Sequence, residues 1–198
     1  MALIEWSKKQ ERTFSGNKFG VSEKEYNVHP KHYLKQIERD TSIAKNKAII
    51  CLGCNDGTHV KEFYDAGYDA FGVDLPKVIE KAHSKHSEIA DRLICCNLEK
   101  ELIPSTRTWN LIFAKSVIEH LVNWYLLPKK MYDAQSINGM IWVSTKNGDI
   151  ISKVERDHFV HIGFEELENI FKKVGYSIVK HYEDPLSKEG QILVAKKE

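Results

Sequence analysis

No stretch of this 198-residue sequence approaches the ~18 consecutive apolar residues that a membrane-spanning helix needs. The opening MALIEWSKKQERTF also lacks the long apolar core of a secretory signal. The chain is therefore expected in the cytoplasm, without membrane contact. Charge of one sign is missing too, since 29 Lys and Arg against 28 Asp and Glu leave a formal net charge of +1. No broad basic field is available to hold a nucleic acid. Cysteines are few. Cys51 and Cys54 have the C-x-x-C spacing that can serve zinc or thiol redox chemistry. Cys51 sits inside the apolar run AIICLG, however, and Cys95 and Cys96 end the run RLICC. Adjacent strand residues face opposite sides of a sheet, so that second pair cannot easily share one ion. All four read as small buried hydrophobes in a reducing compartment.

What is present is a regular alternation. The length suits one domain with a sizeable core. After about residue 45 the sequence predicts a strand at KAIICLG (47–53) and a helix from Thr58, with Val60, Phe63 and Tyr64 apolar, stopped by Gly67. DAFGVD (69–74) is a second strand. A helix opens at Pro76 and carries Val78, Ile79, Ala82 and Ile89. RLICCN (92–97) and WNLIFAKS (109–116) are further strands, followed by a helical region from Val117 to about Ile137 and a strand at GMIWVST (139–145). FEELENIFKKVG is a helix closed by Gly175, and YSIVKHYE with QILVAKK form a final antiparallel hairpin. Ahead of all this, HPKHYLKQI predicts a short helix after Pro30 with Tyr33, Leu34 and Ile37 on one face. The expected fold class is α/β, an open, doubly wound, mostly parallel sheet. Residues 1–45 are expected as a helical lid segment and 46–198 as the ligand-binding domain.

In such sheets ligands sit beyond the carboxyl ends of the strands, which directs attention to the first strand-to-helix turn, GCNDG. A dinucleotide fingerprint would need G-x-G-x-x-G, yet Asn55 and Thr58 stand where its second and third glycines belong. A P-loop would need Lys-Ser or Lys-Thr after the last glycine, and neither follows Gly57. With no phosphate motif, the turn and Asp74 at the end of the second strand suit a nucleoside whose tail is not a phosphate. Asp74 would accept hydrogen bonds from the ribose hydroxyls, and Gly57 would let backbone lie close to the ligand. The competing reading is an ordinary tight turn, with Asp74 capping the Pro76 helix.

The stretch AIICLGCNDGTHVKEFYDAGYDAFGVDL resembles the first two motifs of the class I S-adenosylmethionine-dependent methyltransferases. WNLIFAKSVIEHL, NGMIWVSTKN and DHFVHIGFEELENIFKKVGYSIV follow in that family's order, so the likeness spans about residues 45 to 182. It is closest in style to small-molecule O-methyltransferases of the ubiquinone-biosynthesis type, while the Asn-Asp-Gly turn is similar to that of some sugar methyltransferases. The resemblance implies a seven-stranded sheet with its last strand inserted antiparallel, and S-adenosylmethionine as cofactor. It implies that Gly53, Cys54, Asn55 and Gly57 line the methionine and ribose portions. Asp74 would hold the ribose hydroxyls, with Leu75 on adenine. Asn97 and Leu98 would take the adenine-flanking place, Asn97 standing where the family usually has an acid. Lys115 would lie near the methionine end, and His32 falls where an arginine usually meets the cofactor carboxylate.

A methyl group on a sulfonium is already activated, so the protein has to align an acceptor and, for a hydroxyl, remove its proton. His161, His158 and His120 are the candidate bases, all in segments after strand ends. Metal-binding relatives of the ubiquinone type carry E-x-x-E-H. Here Ser116 replaces the first acid before Glu119 and His120, and no metal is expected. Trp124, Tyr125 and Trp142 are expected as packing residues. No Asp/Asn-Pro-Pro-aromatic motif follows the fourth strand and no Pro-Cys pair is present, which argues against DNA base methylation. The acceptor is expected to be a small molecule, a sugar, sugar nucleotide or phenolic or isoprenoid-derived metabolite, methylated at oxygen. A catalytically inactive cofactor-binding partner subunit is the rival, a nicotinamide dehydrogenase is disfavoured by the missing glycines, and a homodimer remains open.

Overall fold

The computed structural model describes residues 29–151, 158–187 and 189–198, with side chains from Tyr33 onward. Most of the expected lid segment, residues 1–28, lies outside the described residues, as does the side chain of His32.

Seven strands form one sheet. β1 (Ala48–Leu52), β2 (Asp69–Asp74), β3 (Leu93–Cys95), β4 (Trp109–Lys115), β5 (Gln135–Lys146), β6 (Tyr176–Glu183) and β7 (Gly190–Lys197) lie in the order β3-β2-β1-β4-β5-β7-β6. The first five pair in parallel, and β7 runs antiparallel between β5 and β6. The fold is thus the expected open, doubly wound α/β sheet, with the chain order reversing between β1 and β4. Helices α1 (His29–Thr41), α2 (Thr58–Asp65), α3 (Pro76–Lys85), α4 (Leu127–Ala134) and α5 (Phe164–Val174) cover it. No helix among the described residues is long and apolar enough to cross a membrane.

Both sheet faces are apolar because both are covered. Ile50 and Leu52 of β1, Ile112 and Ala114 of β4, and Ile141 and Val143 of β5 pack with Leu167 and Phe171 of α5. The alternate residues Ile49, Cys51, Leu111, Phe113 and Trp142 pack on the other side with Phe63 of α2 and with Tyr33 and Ile37 of α1. The Trp142 ring stacks on Phe113 and meets Tyr33 edge-on at 5.5 Å. α1 is anchored further by buried Asp40, which receives the Trp142 indole N–H and pairs with Lys180.

Four local expectations change. The region from Val117 to Ile137 is not one helix. It holds short 3-10 turns at Ile118–His120 and Trp124–Leu126, then α4, and β5 begins already at Gln135. Ile89 is buried, but in a 3-10 turn (Ser87–Arg92) after α3 has ended. Of the four cysteines, Cys95 is exposed, because the pleat of a short edge strand turns it outward. Trp142 is a packing residue as expected, whereas Tyr125 is 56% exposed.

Candidate active site

The turn after β1 is built from left-handed residues. Gly53 has φ 60°, Asn55 φ 51° and Gly57 φ 81°. Gly53 could carry no side chain for a second reason, since a Cβ there would lie 2.7 Å from Cγ2 of Val117, in the segment that follows β4. The turn is closed by two backbone bonds, Cys54 N–H to the Val73 carbonyl and Gly57 N–H to the Cys54 carbonyl, both 3.0 Å. Lys85 at the end of α3 donates to Asp56 Oδ2 at 2.6 Å and ties α3 to the turn that opens α2.

Asp74 belongs to the turn as much as to β2. The Asn55 N–H donates to its Oδ2 at 2.8 Å and the Leu75 N–H to its Oδ1 at 2.7 Å. Burial pushes its carboxyl up from the ordinary value, with these two amides pulling the other way. Each carboxylate oxygen has further lone-pair capacity, so the group is positioned and still able to accept from a diol. It does not cap α3, whose N-cap is Leu75, without a side-chain cap. Cys54 points away from the cleft. Its side chain is buried over Gly72, where a Cβ would come within 2.7 Å of the Cys54 Cβ, so only its backbone is offered to a ligand. Burial also drives the Cys54 and Cys51 thiols well up, so neither is a thiolate at neutral pH. Asn97 Oδ1 accepts the Glu99 N–H at 3.0 Å and closes a local turn, while Leu98 is buried in the core.

At the end of β4 the Lys115 ammonium lies 5.3 Å from the centre of the Tyr33 ring and has no hydrogen-bonding partner among the described residues. Burial lowers its pKa, opposed by the charges of Asp184 and Glu119. Beneath it, the hydroxyls of Tyr33 and Ser144 both donate to Asp184 Oδ2, at 2.9 and 3.0 Å. Asp184 is buried and its other oxygen accepts the Leu186 N–H, so one acid joins α1, β5 and the final hairpin.

The three candidate histidines come together. His120 and His158 meet edge-on with ring centres 4.8 Å apart, and His158 Nδ1 lies 2.9 Å from His161 Nε2. Glu119, the neighbour of His120, is 1% exposed, accepts a hydrogen bond from Thr145 Oγ1 at 2.8 Å and presents its backbone carbonyl to the Phe159 N–H at the same distance. The loop after β5 is thereby tied to the turn after β4. On another side, His161 lines an open cavity of about 640 Å³ with Asp149, Glu165, Glu166 and Lys173. That groove shares only His161 with the cluster and includes no residue of the Gly53–Gly57 turn, so it is not the nucleoside cleft.

No family model matches the sequence, and no curated protein matches it. Solved structures do. An S-adenosylmethionine-dependent methyltransferase from Mesorhizobium loti superposes with a TM-score of 0.69 at 14% identity, over 84% of this chain and 96% of that one. Magnesium protoporphyrin IX methyltransferase from Synechocystis PCC 6803, with bound SAH, gives 0.68 at 12% identity over 97% and 94%. Phosphoethanolamine N-methyltransferase 2 from Haemonchus contortus, in complex with S-adenosyl-L-methionine, gives 0.70 at 15% over 84% and 52%. The chain has the class I methyltransferase fold.

These methyltransferases differ in acceptor, so the fold alone does not select one. The site contains residues that the sequence did not single out. Asp184 stood in a presumed hairpin connection, where the following Pro185 hid it behind a turn signal. Glu119 shows in the sequence only as an acid beside His120 whose partner position is Ser116, and Thr145 carries no local signal. Ser116 itself is exposed, with φ 51°.

Proposed function

We propose that the chain is an S-adenosylmethionine-dependent methyltransferase acting on a small molecule at a hydroxyl oxygen. The observation that carries this reading is the coupling of Asp74 to the left-handed turn at Gly53–Gly57. The coupling makes an acceptor for a ribose diol beside backbone that can lie against a ligand. In this reading Gly53, Asn55, Gly57 and the backbone of Cys54 surround the methionine and ribose portions, Leu75 and Leu98 flank adenine, and Asn97 meets the adenine amino group. Lys115, whose ammonium lacks a hydrogen-bonding partner among the described residues, answers the carboxylate at the methionine end.

When bound, the sulfonium cofactor supplies an electrophilic methyl group. The chain's own work is then to hold the acceptor oxygen in line and to take away its proton. In this reading His120, His158 and His161, which sit together next to the segment whose Val117 approaches Gly53, are the groups that take that proton. The form of the turn favours a sugar or sugar nucleotide over a phenolic acceptor.

The test is transfer of a labelled methyl group. The chain is incubated with methyl-labelled S-adenosylmethionine and fractions of sugar nucleotides, free sugars and phenols. Label should move to one fraction with equal release of S-adenosylhomocysteine. Tight cofactor binding without release in any fraction would favour the inactive partner subunit instead.

A further inference from the structure

A carboxylate oxygen of Glu119 and a ring nitrogen from each of His120 and His158 all lie within 4.8 Å of one another. We propose that these three side chains form a binding site for a divalent first-row transition ion, held in shape by Thr145 and His161.

The argument begins with charge. Glu119 and His120 are 1% and 8% exposed. A carboxylate removed from water needs a compensating positive charge. Among the described residues no lysine or arginine forms an ion pair with Glu119: the Lys115 ammonium acts on it only at longer range and shares its charge with Asp184, and the side-chain hydrogen bond to Glu119 comes from the neutral Thr145 hydroxyl. A cation bound between the carboxylate and the two imidazoles would supply that charge.

The donor set selects the ion. Two imidazoles with one carboxylate suit Zn²⁺, Fe²⁺ or Co²⁺ better than Mg²⁺ or Ca²⁺, which favour oxygen ligands. Three protein ligands also leave coordination positions open, as in catalytic rather than structural zinc sites.

The surroundings are those a ligand set requires. In the tautomer with the proton on Nδ1, His158 donates to His161 Nε2 across 2.9 Å, and Nε2 is then the ring nitrogen that carries the ligating lone pair. Thr145 fixes Glu119 by donating to Oε2, and the Phe159 N–H to Glu119 carbonyl bond fixes the two loops relative to each other. In this proposal the third ligand comes from the loop after β5, not from the position of Ser116, and the chain differs in that from the sequence-based expectation of no metal.

The ion's role in methyl transfer rests on the function proposed above. With the ion bound, His120 and His158 would be ligands and not bases; a divalent charge beside an acceptor hydroxyl would lower its pKa, so that the proton could leave to water near neutral pH. The oxygen lone pair then forms the bond to the methyl carbon as the carbon–sulfur bond breaks, its electron pair staying on sulfur. Binding of the ion does not depend on that reading.

The experiment uses the whole chain after treatment with a chelator. It is titrated with CoCl₂ while visible absorption is followed, and metal retained after dialysis is counted by mass spectrometry. One ion per chain is expected, with d–d bands that report histidine ligation. His158→Ala and Glu119→Gln should abolish the bands. His161→Ala should weaken binding about 10–100-fold, the usual cost of losing an outer partner. Thermal melts establish that each variant is folded, and because Glu119 is buried, half-buried His158 is the safer probe. Absence of bands and retained metal in the wild type would overturn the proposal. So would undiminished binding in a folded His120→Ala/His158→Ala double variant. Calorimetry with S-adenosylhomocysteine on the same samples separates the two readings. If that nucleoside binds and no metal does, the metal site fails alone; if metal binds and the nucleoside does not, the methyltransferase reading fails alone.

Discussion

The backbone N–H of Asn55 donates to Oδ2 of Asp74 at 2.8 Å, so the acid at the tip of β2 is fastened to the turn that leaves β1. Burial raises the Asp74 carboxyl above its ordinary value of 3.8. Between 3.8 and the raised value the folded chain holds a proton that the unfolded chain has lost, so this group makes stability fall as pH rises through that window, and flat above it. In Asp74→Asn this contribution is gone. Urea denaturation in acid buffers should show the variant gaining on the wild type with rising pH; parallel curves would contradict the assignment.

Lys115 has the opposite linkage. Burial lowers its pKa, so below 10.5 the unfolded chain binds the proton more readily, and stability rises with pH from the lowered value toward 10.5. Lys115→Met keeps the length of the side chain and removes the buried charge. It should raise the melting temperature in the absence of ligand, yet weaken S-adenosylhomocysteine by about 1.5–3 kcal/mol, the worth of a hydrogen bond to a charged group. Unchanged affinity would remove Lys115 from the methionine end.

The two turn glycines should fail differently when replaced by alanine. Both have positive φ, which costs an L-residue roughly 1–2 kcal/mol. Gly53→Ala adds a clash with Val117 Cγ2, whereas a Cβ on Gly57 meets nothing nearer than 3.4 Å. Val117→Ala should therefore recover part of the stability lost in Gly53→Ala and none of that lost in Gly57→Ala. Equal recovery, measured by chemical denaturation in a double-mutant cycle, would show that the contact with Val117 is not what excludes a side chain.

For the histidines, His158→Ala and His161→Ala should each leave cofactor affinity intact and lower turnover at least tenfold once an acceptor is known, the loss of a general base being on the order of 10²–10⁴ and His158 counting either as base or as ligand of the proposed ion. Full activity in both would remove the cluster from the chemistry.

Much of the fold was legible because buried parallel strands announce themselves as short apolar runs. β2 coincides with DAFGVD, and the final hairpin follows the two alternating runs around Pro185 and Gly190. The start of β5 was hidden. Gln135 and Asn138 are polar, and Asn138 has φ 62° at an irregularity where the pairing jumps from Trp109–Gln135 to Leu111–Met140. Gln135 is nonetheless buried, accepting from the Tyr176 hydroxyl at 2.7 Å, a tertiary contact that no local pattern encodes. The Gly53–Gly57 turn was readable because its residues are consecutive and their φ values demand particular residue types. The grouping of Glu119 and His120 with His158, and of Tyr33 with Asp184, was not. Each joins segments far apart in the chain, brought together only by the sheet order.

The account stands or falls on the nucleoside cleft beside Asp74. A calorimetric titration of S-adenosylhomocysteine into the full chain and into Asp74→Ala addresses it directly. The account predicts one site per chain, weakened by about 1–3 kcal/mol in the variant, the cost of stranding hydrogen-bonding groups. No heat and no thermal shift in the wild type, or equal affinity in a folded Asp74→Ala, would contradict it.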